Sequence, residues 1–142
     1  MASNKMEFVM SHANSNTFLR NALLADAIVS GATGLIMIAG ASILADFLNL
    51  PFALLREAGF LLIPYVAFVA YVGTRATISR SAVWAVIVAN VLWAAASVLL
   101  LLSGWVAPNL LGTAFVIVQA VAVALFGELQ FIGLRRADAV AA

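Results

Sequence analysis

The chain has no cysteine and a single histidine, His12, among its 142 residues. Without cysteine there are no disulfides, no thiolate metal sites and no Cys nucleophile. With the one histidine in a polar leader, a histidine-ligated haem or a His-based metal site in the apolar part of the chain has no ligands. Charge is scarce too. Only 9% of residues are Asp, Glu, Lys or Arg, against about 25% in a soluble domain, too few to cover a water-facing surface. Also missing are an HExxH pair, a Ser/His/Asp set, a phosphate-cradling glycine loop and any basic cluster beyond Arg135-Arg136. The expectation is a non-enzymatic protein with no cofactor, no metal and no nucleic-acid partner.

What is abundant is apolar: 65% of the residues are hydrophobic. A bilayer core takes about 20 apolar residues per helix, and four segments supply that, at about 18–45, 52–73, 81–103 and 109–134. Asp46 and the Asn49-Leu50-Pro51 breaker end the first, Gly104 follows the third, and Trp105-Val106-Ala107-Pro108 turns into the fourth. Ser79 and Ser81 offer N-cap oxygens for the third span and Asn109 for the fourth. Pro64 removes a backbone hydrogen bond within the second span and predicts a kink there. Short connections make consecutive helices antiparallel neighbours. The fold class is therefore all-α, an integral membrane four-helix bundle. Residues 1–17 form a polar leader that lacks the apolar core of a signal peptide, and residues 135–142 a short tail.

Lys5, Arg20, Arg75, Arg80, Arg135 and Arg136 fall on the side of the N-terminus, and Arg56 alone on the other. The positive-inside rule then places both termini in the cytoplasm, for a multi-pass protein of the bacterial inner membrane. A shift of 64 residues lays Asp26, Ser30, Thr33, Met37 and Gly40 on Asn90, Ala94, Ser97, Leu101 and Gly104, and a shift of 62 lays Glu57 on Gln119. Two tandem helical hairpins related by an axis along the membrane normal would produce this; so would chance in an Ala/Val/Leu-rich background. Small residues four apart, such as Ala27 with Gly31 and Ser30 with Gly34, let helices approach closely. They predict that the first and third spans form the tight centre.

Few polar groups lie at membrane depth. Asp26 is six residues past Arg20, about 9 Å along the helix. A charge at the bilayer centre costs about 2.5–3.5 kcal/mol, less toward the edge, so Asp26 is neutral, paired or facing a wet cavity. It either fastens the first helix to a neighbour through Asn90 or binds a proton or cation. Glu128, seven residues before Arg135, either shares a proton with Asp26 or leans toward Arg135 at the interface. Gln119 is nine residues from Glu128, which sets the two on opposite faces of one helix. Either Glu128 leaves the interior, or that helix has protein on both sides. Thr33, Asn90 and Gln119 are candidates to line a path with Asp26. Arg56 and Glu57 form an outer-surface pair.

The four-helix build with a carboxylate in the first span is similar to that of small multidrug-resistance transporters. The wider motif around the acid is absent, and the lopsided charge departs from those members that insert in both orientations. Over its whole length the chain resembles small uncharacterised four-helix proteins of bacterial inner membranes, which implies no activity. Two functional expectations follow. One is a non-enzymatic membrane module that self-associates, joins a larger membrane complex or holds a lipophilic ligand. The other is a small proton- or cation-coupled transporter or channel that uses Asp26.

Overall fold

A computed structural model describes residues 1–142 and contains helices only: α1 (Ala2–Ala39), α2 (Ala41–Leu48), α3 (Phe52–Thr74), α4 (Arg80–Leu102) and α5 (Leu110–Ala141). The four long ones, α1, α3, α4 and α5, have the length and apolar composition to cross a membrane. The starts of α4 and α5 use caps the sequence offered. Ser79 Oγ accepts from the Ala82 N–H at 3.3 Å, and Asn109 Oδ1 from the Gly112 N–H at 2.8 Å. α3 runs unbroken through Pro64.

Three boundaries differ from the sequence expectation. The first span stops at Ala39 rather than near residue 45, because Gly40 (φ −101°, ψ 12°) breaks the helix and the short α2 follows at a new angle. Asn49 then takes φ 52°, the left-handed region that Asn tolerates better than most residues. At the other end the leader is part of α1 and the tail part of α5. α1, at 38 residues, is about 57 Å long.

α1 packs against α3 on one side and α5 on the other, and α4 packs against α5. α3 and α4 barely touch, and α1 and α4 stand diagonally opposite. This corrects the expectation that the first and third spans form the tight centre. The small residues of α1 are used on the second span instead, because α3 answers them with glycines of its own. A Cβ on Gly59 would stand 3.0 Å from the Gly34 carbonyl oxygen and 3.1 Å from Met37 Cβ, so the two backbones meet where neither residue has a side chain. On the α5 side, a Cβ on Gly133 would lie 3.1 Å from Leu19 Cα.

Polar contacts tie the helix ends and fix their directions. Arg20 Nη1 donates to the carbonyls of Gly73 (2.6 Å) and Arg75 (2.8 Å), so the middle of α1 lies beside the end of α3. Arg80 pairs with Asp138, joining the start of α4 to the end of α5. At the opposite end Asn49 Nδ2 donates to the Ala107 carbonyl at 2.6 Å and Asn109 Nδ2 to the Phe47 carbonyl at 2.8 Å. Between these ends lie two apolar cores. Leu23, Val69, Val83, Val86 and Leu134 anchor one, and Leu48, Leu55, Leu62, Val106 and Val116 the other. Only 31 of 142 residues are buried; Ile28, Leu35, Leu61, Leu92, Leu99 and Val118 point outward.

Candidate functional site

Asp26 is 0% exposed, yet it makes no ion pair. It sits on the inward stripe of α1 with Leu19, Leu23, Ser30, Gly34 and Met37, steps of three and four that share one helix face. A buried carboxyl must find hydrogen bonds, and here every long helix supplies some. Oδ1 accepts from Ser30 Oγ of the same helix at 2.9 Å. Oδ2 accepts from Tyr65 Oη of α3 at 2.8 Å, Asn90 Nδ2 of α4 at 2.9 Å and Gln130 Nε2 of α5 at 2.7 Å. Asn90 Nδ2 also donates to Gln130 Oε1 at 3.1 Å. No buried side-chain nitrogen or oxygen is left without a partner. All four donors are neutral groups; no Lys, Arg or His takes part.

Tyr65 has one hydroxyl hydrogen and two acceptors in reach, Asp26 Oδ2 and, at 3.0 Å, Asn90 Oδ1. A phenolic oxygen both donates and accepts. With Asp26 ionised, Tyr65 donates to it. With Asp26 protonated, the carboxyl donates to Tyr65 Oη and the tyrosine turns its hydrogen to Asn90. The cluster therefore accepts either protonation state without orphaning the tyrosine.

Of the residues singled out from sequence, Asp26 and Asn90 meet directly. Gln119 lies elsewhere, half-buried, accepting from Trp93 Nε1 at 3.3 Å with Ser97 Oγ 3.5 Å from its amide nitrogen. Thr33 returns its hydroxyl to the Val29 carbonyl of its own helix at 2.8 Å. Glu128 is exposed and has no ion pair; Arg135 stands over the Phe131 ring instead, 5.7 Å from its centroid. Its spacing from Gln119 set the two on opposite faces of α5, and Glu128 is the one turned away from the bundle interior. Arg56 and Glu57 pair at 3.5 Å on the surface, with Arg56 also over the Phe52 ring.

Tyr65 and Gln130 are the members that sequence reading passed over. Gln130 lies two residues past the charged Glu128, but the stripe Gly112, Val116, Ala120, Gly127, Gln130, Gly133 runs along one face of α5 and excludes Glu128 from it. Tyr65 falls likewise between Leu62 and Val69 on the buried stripe of α3. Comparison with family models, with curated proteins and with solved structures finds no match for this chain.

Proposed function

We propose that this chain is a non-enzymatic integral membrane protein, a bundle crossing the bacterial inner membrane four times with both termini in the cytoplasm. In this reading the Asp26 cluster is the fastening at its centre, and the module holds a lipophilic ligand. The observation that carries it is the inversion of polarity. Asp26, Ser30, Asn90 and Gln130 of the polar cluster are buried, while Leu, Ile and Val side chains cover the outside. In lipid, apolar surface gives helices no reason to associate, so buried hydrogen bonds and small-residue contacts take over. The arginines at one end, Arg20, Arg75, Arg80, Arg135 and Arg136, support the orientation.

Fractionation and topology test this. The protein should stay with the membrane after a high-salt wash and need detergent for release, and a reporter fused after Ala142 should be active only in the cytoplasm. Release by salt, or a reporter active outside, rejects the reading.

A second reading, a small proton- or cation-coupled transporter, is favoured by the two-way hydroxyl of Tyr65 beside Asp26. Asp26→Asn separates the readings. An amide can keep the cluster bonded, its oxygen facing Tyr65, Asn90 and Gln130 and its nitrogen donating to Ser30 Oγ, while removing the titrating group. Proton or cation flux in reconstituted vesicles that collapses in Asp26→Asn at unchanged stability establishes transport. No flux in the parent protein dismisses it.

A further inference from the structure

The weak contact between α3 and α4 leaves a cavity of about 350 Å³ between them. Leu61 and Leu62 form its α3 wall and Leu92 and Trp93 its α4 wall, with Ser30 and Val123 behind. Leu61 and Leu92 are among the most exposed side chains of their helices, so the cavity opens sideways, onto the face read here as lipid-facing. Its size falls at the low end of small-molecule pockets, about 300–1,000 Å³, which suits one chain or ring.

The polar residues of its lining, Ser30, Tyr65 and Asn90, all belong to the Asp26 cluster. Their hydrogens are committed. The Ser30 and Tyr65 hydroxyls donate to Asp26, and the Asn90 amide donates to Asp26 and Gln130. What these residues have left is oxygen lone pairs, on Asn90 Oδ1, Tyr65 Oη and Ser30 Oγ. A ligand whose polar end only accepts hydrogen bonds finds no donor, and a purely apolar one leaves those oxygens unused. A hydroxyl fits, and it costs far less to bury than an ammonium.

We infer that the α3–α4 cavity binds a lipophilic alcohol from the bilayer, its chain between Leu61 and Leu92 and its hydroxyl donating to the Tyr65–Asn90 oxygens. This rests on the membrane reading above, but fails separately from it: a protein that needs detergent for release yet binds no alcohol loses this site alone.

Trp93 serves as the reporter once Trp84→Phe and Trp105→Phe have removed the other tryptophans. In nanodiscs, titration with 1-dodecanol should give a saturable change in Trp93 emission, and methyl laurate, an acceptor of similar length, at least a tenfold weaker response. Ala89→Leu, which fills the cavity from α4, should abolish the response with helix content and particle size unchanged. Equal binding of the ester, or an alcohol response that survives Ala89→Leu, overturns the site. So does a response to dodecylamine without one to dodecanol, which would indicate attraction by charge.

Discussion

At the scale of single residues, the carboxyl of Asp26 matters less as a charge than as an acceptor with four donors around it. Asp26→Ala strips partners from Ser30, Tyr65, Asn90 and Gln130 at once. An orphaned buried donor costs about 1–3 kcal/mol, while single interhelical hydrogen bonds in membranes average about 0.6 kcal/mol. Because some donors regain partners among themselves, as Asn90 already does with Gln130, Asp26→Ala should lose about 2 kcal/mol and Asp26→Asn under about 1 kcal/mol. Unfolding in mixed micelles, followed by helical circular dichroism, measures both; equal losses would show that the oxygen count does not govern this cluster. The Asp26–Asn90 contact was legible in the sequence, because only a few polar side chains lie within the apolar stretches and each must find another. Gln130 and Tyr65 were not. Glu128 stood out from Gln130 by its charge, and which face of α5 or α3 points inward depends on which helix each packs against.

At the scale of elements, composition and breakers located all four long helices to within a few residues at most of their boundaries. Composition could not tell which helices would be neighbours. Ala and Gly stripes permit close approach to any partner; the choice falls on α3 because Gly59 meets Gly34 backbone to backbone. Two glycines of the α1–α3 seam, Gly59 and Gly31, differ in what they tolerate. A methyl group on Gly59 would press on the Gly34 carbonyl and on Met37, whereas one on Gly31 would meet Val66 Cγ1 at 3.4 Å, ordinary packing. Gly59→Ala should therefore destabilise by about 1–3 kcal/mol, the usual cost of overpacking, and Gly31→Ala by less than about 0.5 kcal/mol. A chemical unfolding series on the two variants decides whether backbone contact or mere smallness holds α1 to α3. The bend at Gly40 was likewise hidden, since Ala41 to Leu48 is apolar enough to continue a helix and only one residue interrupts it.

At the scale of the whole molecule, a perfect twofold relation between an α1–α3 hairpin and an α4–α5 hairpin would give equal contacts at both seams. Instead α1 and α5 are closely packed while α3 and α4 stand apart, so any inherited symmetry is broken where the cavity lies. The absence of cysteine makes this measurable, since introduced thiols are the only ones present. A Cβ built on Gly133 stands 3.1 Å from Leu19 Cβ, so α1 and α5 need part by only a few tenths of an ångström to reach the 3.5–4.5 Å at which a disulfide closes. Leu19→Cys with Gly133→Cys should cross-link under mild oxidation; Leu61→Cys with Leu92→Cys, across the cavity, should need a longer bismaleimide. Each hairpin carries its own arginine clip, Arg20 to the end of α3 and Arg80 to Asp138, and neither clip crosses the α3–α4 seam. The two halves are therefore joined like the boards of a book along a spine of α1 and α5, with the Tyr65–Asn90 hydrogen bond the one clasp between the fore-edges; on the inference drawn above, a guest would enter between those edges rather than through either end of the molecule.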